Sequence, residues 1–271
     1  MCDNTDVMNK RIGNGNLHNA IKHEFSYNHK FGDIKRVRNS HSVGLSYSFI
    51  QNAIAMGYQY DRASGIRTWQ ADNVNGNWDA EAKYSLNAVV GKRHPLTISF
   101  MPNVKYVHSV DLIDNRKSVV NNMSVNNALT LSYKFGEHSL RFKNSMSLND
   151  YTSDREDFTD MRPLILTNGL EGLFKLPWKL ELNTDVTMYS RTGYVDDKLN
   201  SSKFVWNARV SRPFFKGRLI AILDGYDILG QLDNVTRTVN AQGRTETFVN
   251  VMPRYVLFHL RYLFNKHNKK K

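Results

Sequence analysis

Hydrophobic and polar residues alternate along most of this chain with a repeat of two residues. The run PRYVLFHLRYLF, residues 253–264, is a clear example. In it Phe258 and Leu260 share one parity, whereas His259 and Arg261 share the other. Side chains at alternate positions of a β-strand point to opposite faces, so this repeat predicts a strand that separates two different environments.

About twelve segments of this kind can be counted, each roughly 9–13 residues long. That length suits a tilted strand that spans a membrane, whereas the strands of soluble sandwiches are usually about 5–6 residues long. Short and long polar connections take turns between the segments, as in outer-membrane barrels, whose periplasmic turns are short. The short connections are 50–52, 91–95, 135–139, 176–179 and 214–218, and the long ones are 61–76, 109–122, 150–160, 190–202 and 230–250.

The two faces of these segments differ in polarity. One parity is almost free of charge and is interrupted mainly by Asn127, Asn144 and Asn168, whereas the other carries Lys, Glu, Arg, Asp, Ser and Asn. Aromatic residues occur near segment ends, where barrels have aromatic girdles; they are Trp78, Tyr106, Tyr133, Phe135, Phe174, Trp178, Phe204, Tyr262 and Phe264. We therefore predict an all-β fold, an antiparallel transmembrane β-barrel of about twelve strands. A soluble carbohydrate-binding β-sandwich would also alternate and is the weaker alternative.

Charge and composition narrow the choice further. The net charge is +12, but the Lys and Arg residues are dispersed apart from Lys35–Arg38 and Lys269–Lys271, so we expect no nucleic-acid partner. No apolar run reaches the ~18 residues of a transmembrane helix. The polar start does not resemble a signal peptide, so we expect either a cytosolic chain or a natural start further upstream. Cys2 is the only cysteine and predicts no disulfide within the chain.

The segment 224–264 carries a more specific signal. A strand passes into the corner DILGQ, an Asn- and Thr-rich loop follows, and PRY leads into a last strand that ends aromatic–x–Phe. This segment resembles the C-terminal end of Bacteroidetes-type TonB-dependent outer-membrane receptors, in the outer membrane protein β-barrel family. The matching residues are Asp227, Ile228, Leu229, Gln231, Asn234, Pro253, Arg254, Tyr255, Tyr262 and Phe264.

The resemblance implies import of an unknown nutrient across the bacterial outer membrane. Such receptors pair a barrel of about 22 strands with an N-terminal plug, which a periplasmic energy-coupling protein moves. The implied partners are outer-membrane lipid, the barrel-assembly machinery, the coupling protein and the nutrient. This chain departs from the pattern because it shows about twelve strands, no plug and no coupling box, and because seven residues follow Phe264. We expect the C-terminal half of a larger barrel, with a polar segment 1–16, a barrel portion 17–264 and a basic tail 265–271.

The candidate site residues come from the polar positions of the alternating segments. The residues expected to line the lumen are Glu181, Asp185, Lys203, Arg209, His259 and Arg261. Folding the hairpin about residue 196 places Asp185 opposite Asn207. These side chains can contact substrate, or they can form a charge ladder that only stiffens the wall. Ligand contact is otherwise expected at the Asp111–Lys117 and 230–250 loops, on position alone.

The residue patterns give no support for catalysis, a cofactor or a metal site. The nine histidines show neither H-x-H nor H-x-x-x-H spacing. His41 and Ser42 are neighbours on one strand, so they point to opposite faces and cannot form a catalytic dyad. We expect a transport barrel that is not an enzyme and has no cofactor. The alternatives are a stand-alone twelve-stranded outer-membrane pore and a barrel enzyme of the lipase or protease type.

Overall fold

The computed structural model describes residues 2–3, 8–32, 39–92, 95–113, 116–155, 158–194, 197–232, 235–240, 243–248, 252 and 254–264. Within these ranges, no helix is long and apolar enough to cross a membrane. Three short 3-10 segments occur at Pro177–Lys179, Asp197–Leu199 and Phe215–Gly217. The strands are β1 (Cys2–Asp3), β2 (Asn9–Ile12), β3 (Ile21–Gly32), β4 (Asn39–Gln51), β5 (Ala53–Tyr60), β6 (Arg67–Val74), β7 (Trp78–Val90), β8 (Leu96–Ile113), β9 (Arg116–Phe135), β10 (His138–Ser153), β11 (Leu164–Leu176), β12 (Leu180–Thr192), β13 (Ser201–Phe214), β14 (Leu219–Tyr226), β15 (Val235–Asn240), β16 (Gly243–Phe248) and β17 (Tyr255–Tyr262).

Eleven of these strands form one antiparallel main sheet, in the order β3-β4-β7-β8-β9-β10-β11-β12-β13-β14-β17. Their lengths range from 8 residues in β14 and β17 to 20 residues in β9. Some strands are longer than predicted because pairing continues beyond the apolar band, as in β8 and β9, which stay paired up to Ile113 and Arg116. The predicted all-β, antiparallel fold is confirmed.

Four short strands extend the sheet beside the end of β8. The β5–β6 hairpin joins it through a parallel contact between Tyr58 and Ile113, and β6 in turn pairs with β2, which pairs with β1. A small buried apolar cluster lies here, made of Ala53, Ala55, Val74 and Val110. Two of these strands, β1 and β2, lie within the segment 1–16, which was predicted only as polar. The predicted loop 61–76 contains a third, β6.

Tight turns lie at one end of the main sheet. As predicted, they connect β7 to β8, β9 to β10, β11 to β12 and β13 to β14. The sharp turn at 50–52 also exists, with Asn52 at φ 52°. Its predicted place among the tight barrel turns is wrong, because β4 pairs with β7 and the turn leads into the β5–β6 hairpin at the opposite end. The start of β4 pairs with the end of β7, so the β3–β4 connection leads to the end of the sheet that has the tight turns. Residues 33–38 of that connection lie outside the described ranges.

The pairing register keeps the apolar parity on one face across the main sheet. One row of directly opposite residues contains Tyr27, Leu45, Ala82, Val104, Val125, Leu148 and Leu164. A row on the later strands contains Leu182, Val210, Leu223 and Phe258. Most of the charged residues of these strands fall on the opposite face. We call the two sides the apolar face and the polar face.

The apolar face has no second protein layer over it in the described part of the chain. The other sheet there is only the two-stranded β15–β16 hairpin. On the apolar face, Leu170, Leu223 and Phe258 are 54%, 48% and 62% exposed. A soluble sandwich would bury such residues between two sheets. The single layer instead fits a wall between lipid and a polar lumen.

Aromatic rings contact one another at both ends of the main sheet. At the end with long connections, the centroid of the Trp78 ring lies 5.2 Å from that of Tyr106 and 6.1 Å from that of Tyr47. At the tight-turn end, the Tyr133 and Phe135 centroids are 5.6 Å apart. This arrangement fits girdles at two membrane interfaces, where ring bodies meet lipid and polar groups meet water.

The register predicts unequal costs for substitutions on the two faces of β17. Replacing Phe258 or Leu260 by Arg should destabilise the inserted protein by about 2–4 kcal/mol, because each places a charge in the apolar band. The control, Arg261→Ala on the polar face, should cost much less. Urea titration of the protein in lipid vesicles, followed by heat-dependent gel mobility, measures these changes. Equal losses on both faces would contradict the assignment of the faces.

Candidate functional site

The side chains assigned to the lumen from the sequence all lie on the polar face. They belong to β12, β13 and the edge strand β17, and they are Glu181, Asp185, Lys203, Arg209, His259 and Arg261. The structure brings Arg209 and His259 together through a shared partner on β14. Arg261 lies opposite Ile220 and is exposed.

Asp224 is the shared partner and links three strands on the polar face. Its carboxylate accepts hydrogen bonds from Arg209 Nε at 2.5 Å and from Arg209 Nη2 at 3.3 Å. His259 Nε2 lies 3.0 Å from Asp224 Oδ2, close enough for attraction when the imidazole is protonated. The Asp224 side chain is only 3% exposed, whereas those of Arg209 and His259 are 48% and 40% exposed. A nearly buried carboxylate therefore joins β13 to β14 and lies within ion-pair distance of His259 on the last strand.

Asp224 is not among the lumen residues predicted from the sequence, although the sequence carries a signal for it. Folding the β13–β14 hairpin about its tight turn places Arg209 directly opposite Asp224, which is the register observed. Folding the β12–β13 hairpin about residue 196 likewise predicts Asp185 opposite Asn207, and that register is also observed. An acidic residue on the polar parity opposite an arginine is therefore detectable from turn position alone.

Other cross-strand pairs also lie on the polar face. Asn207 Nδ2 donates to Asp185 Oδ2 at 2.9 Å. Glu181 forms an ion pair with Lys175 of β11. Contacts of this kind stiffen the wall, and they also fix the orientation of side chains that face a lumen.

The DILGQ corner begins at Asp227, which is buried and has φ 45°. The Asp227 carboxylate accepts hydrogen bonds from the backbone N–H groups of Gln231 and Leu232, both at 3.0 Å. The Asp227 carbonyl accepts from Gly230 N–H at 2.7 Å. One side chain thus closes the turn by satisfying backbone donors that would otherwise lack partners.

The corner then continues the pairing of β13 beyond the end of β14. Ile228 N–H donates to the Trp206 carbonyl at 2.8 Å. Gln231 Oε1 accepts from Phe204 N–H at 2.8 Å. The aspartate and glutamine that carried the family resemblance therefore have structural roles, since they cap a strand edge.

The remaining described residues of the motif pack around the last strand. The Tyr255 ring stacks on Tyr226 with centroids 4.7 Å apart. The Tyr262 and Phe264 rings meet edge to face at 4.5 Å.

Arg254 lies against the corner. A Cβ atom added to Gly230, which has φ 67°, would come 3.5 Å from Arg254 Cδ. Asn234 and Pro253, the other two motif residues, lie outside the described ranges.

A cavity of about 240 Å³ lies among β11, β12, β13 and the corner, at the end with long connections. Its lining includes Ile165, Thr167, Tyr189, Arg191, Lys203, Gln231 and Leu232. Among the residues assigned to the lumen from the sequence, Lys203 is therefore the one that lines this cavity. Cationic, neutral polar and apolar groups meet here, as in small-ligand sites.

The two loops expected to contact ligand are partly strands. The hairpin of β15 and β16 lies within 230–250, and β8 and β9 extend into 111–117. Residues 114–115 and the side chains of 233–250 lie outside what the structure describes, so ligand contact at these loops stays a prediction.

The two residues considered as a catalytic pair, His41 and Ser42, lie on opposite faces of the sheet. His41 lies on the apolar face with Nδ1 2.6 Å from Tyr84 Oη, whereas Ser42 lies on the polar face opposite Ser85. Within the described ranges, no three His, Cys, Asp or Glu side chains group in a way that could hold a metal ion.

Comparison with known proteins bears on the fold and the location. The family model described as "Outer membrane protein beta-barrel family" matches residues 2–262. No curated protein and no solved structure matches this chain. The family match spans nearly the whole chain, and with the antiparallel sheet it confirms the predicted barrel fold and the bacterial outer membrane as the location.

The Asp224 contacts predict a non-additive pair of substitutions. Arg209→Met should destabilise the inserted protein by about 2 kcal/mol, because it removes the main partner of a buried carboxylate. This is below the roughly 3–5 kcal/mol of a fully buried pair because Arg209 is half-exposed. Adding Asp224→Leu should restore most of the loss, since neither charge then remains. Urea titration in vesicles measures both variants, and an additive double variant would contradict the pairing.

Proposed function

This chain belongs to the outer membrane protein beta-barrel family, and we propose that it forms the C-terminal half of a TonB-dependent nutrient importer. In this proposal the polar face lines the lumen, and the chain performs no chemistry of its own. A plug from another segment of the receptor fills the lumen, and a periplasmic coupling protein moves it. The barrel-assembly machinery inserts the wall, and outer-membrane lipid covers the apolar face.

The observation that carries the proposal is the direction of the two edge strands. All ten neighbouring pairs in the main sheet are antiparallel, so β3 and β17 run in the same direction. An antiparallel barrel closes only with an even number of strands. The eleven strands therefore need an odd number of further strands between β17 and β3. This supports a larger barrel and disfavours a stand-alone pore.

The two edges also limit what can supply those strands. Within the described residues, β3 pairs only with β4, and β17 pairs only with β14. In lipid, each backbone group left without a partner costs several kcal/mol, so both edges need antiparallel neighbours. A second copy in the same membrane orientation would present its β3 parallel to β17. We therefore propose that strands of different sequence, in a longer receptor, complete the barrel.

The polar face supports transport better than catalysis. A hydrolase of the lipase or protease type needs a nucleophile beside its histidine. His259 lies opposite Ile222 and next to an aspartate that Arg209 already engages. The cavity lined by Lys203 and Gln231 is the place where we expect cargo to contact this part of the wall.

Conductance distinguishes a plugged importer from an open pore. The receptor would be purified from native outer membranes and reconstituted in planar lipid bilayers. We expect little conductance until urea unfolds the plug, because the plug fills the lumen. Steady conductance without urea would contradict import and favour the pore alternative.

A charge variant shows whether the current passes along the polar face. Lys203→Glu should shift the urea-opened channel toward cations, since it replaces a positive charge that faces the lumen. The control Ser202→Glu adds the same carboxylate to the apolar face of the same strand and should not change selectivity.

A further inference from the structure

The cavity beside the DILGQ corner opens on the polar face, at the end of the sheet with long connections. In outer-membrane barrels the long connections lie outside the cell. A cargo that enters the lumen from outside therefore meets this cavity before it passes the rest of the wall. Two rows of directly opposite side chains cross the cavity; they are Thr167, Tyr189 and Lys203 in one row and Ile165, Arg191 and Ser201 in the other.

The two cations of the cavity are diagonal neighbours on paired strands. Arg191 of β12 lies opposite Ser201, which stands two positions before Lys203 on β13. Residues in this relation are roughly 7–8 Å apart, which is within reach of long side chains. Two like charges at this spacing repel each other, and an anion placed between them would offset the repulsion.

The surroundings of these cations differ from those of other cations on the polar face. Arg141 lies directly opposite Glu171, and Arg209 lies directly opposite Asp224. The strand residues opposite and diagonal to the two cavity cations include no Asp or Glu. The described residues that line the cavity include none either. The described lining is therefore positively charged overall.

Gln231 adds a hydrogen-bond donor of fixed orientation. Its Oε1 accepts from the backbone N–H of Phe204 at 2.8 Å, and its own backbone N–H donates to the Asp227 carboxylate at 3.0 Å. A backbone N–H can only donate, so the amide atom that faces Phe204 must be the oxygen. The side chain therefore offers its NH2 group to a ligand, and this group can only donate.

Apolar side chains complete the lining and limit what fits. Ile165, Val205 and Leu232 contribute carbon surface beside the donors. The volume of about 240 Å³ is smaller than the roughly 300–1,000 Å³ of pockets that enclose a whole drug-sized molecule. The cavity therefore suits one charged end of a larger cargo, together with a small ring or a short chain.

We propose that this cavity binds an anionic group of the cargo, a carboxylate or a phosphate, through Arg191, Lys203 and the NH2 group of Gln231. The two cations supply charge-assisted hydrogen bonds, and the amide adds a neutral one. The apolar side chains contact the carbon atoms next to the anion. That the anion is part of a cargo rests on the proposed transport function, whereas the binding site rests on the lining residues.

Fluorine NMR titration of the protein purified from native outer membranes tests the preference for anions. The probes share one ring and are 4-fluorobenzoate, 4-fluorophenyl phosphate, 4-fluorobenzamide and 4-fluorobenzylamine. The better of the two anions should bind at least about tenfold more tightly than the neutral amide, and the amine should bind most weakly. Which anion binds more tightly distinguishes a carboxylate cargo from a phosphate cargo. Equal binding of anions and amide, tighter binding of the amine, or no binding of either anion would overturn the proposal.

A matched pair of variants locates the binding. Gln231→Glu keeps an oxygen for the Phe204 N–H and replaces the NH2 group by a negatively charged oxygen, so anion binding should weaken about tenfold or more. The control Asn126→Asp makes the same amide-to-carboxylate change on the polar face of β9 and should leave binding unchanged. Heat-dependent gel mobility shows that each variant is folded. Unchanged anion binding in folded Gln231→Glu would overturn the proposal.

Lys203→Gln tests the charge without altering the corner. It should weaken binding of the anions about tenfold and leave binding of 4-fluorobenzamide unchanged. Equal losses for the anions and the amide would overturn the proposal.

These titrations need neither the plug nor the coupling protein, so they separate the anion site from import. Loss of the anion preference in a protein that conducts little without urea would overturn the anion site alone. Steady conductance without urea, with the anion preference intact, would contradict import alone.

Discussion

The structure depends on one constraint, that every backbone N–H and C=O group inside a membrane needs a partner from the protein. Ten antiparallel strand pairs meet this constraint for the interior of the main sheet. Among the described residues, β3 and β17 each have one edge without a neighbouring strand, and the common direction of these two strands determines what can pair with them. The same constraint explains the corner at Asp227, where side-chain and backbone groups continue the ladder of β13 after β14 has ended.

Side-chain chemistry follows from the same geometry, because successive residues of each strand meet different solvents. On the polar face, charges are permitted and are mostly paired across strands, as Arg209 is with Asp224. On the apolar face, an unpaired polar group is unfavourable. The few polar side chains that lie there are therefore expected to have hydrogen-bond partners. His41 is joined to Tyr84, and the three asparagines are joined to one another.

Much of the fold could be predicted because a strand repeat of two leaves a direct trace in the sequence. The facing of residues in β12, β13 and β17 and four of the five tight turns are examples. The turn at 50–52 was misplaced because the choice of β7 as the neighbour of β4 depends on long-range pairing, which no local pattern encodes. The cavity beside Lys203 was missed for a similar reason, since it exists only once the corner has folded against β13. The family resemblance located Asp227 and Gln231 but not their role as caps of a strand edge.

The central claim is that this sheet is one part of a larger outer-membrane barrel. The most direct test is an immunoblot of native outer-membrane fractions, with and without heating, using an antibody against the 193–200 loop. A heat-modifiable band well above the 31.3 kDa of this chain is the predicted result. A heat-modifiable band at 31.3 kDa would contradict the claim, because the eleven strands would then form a stable membrane product without further strands from a longer chain.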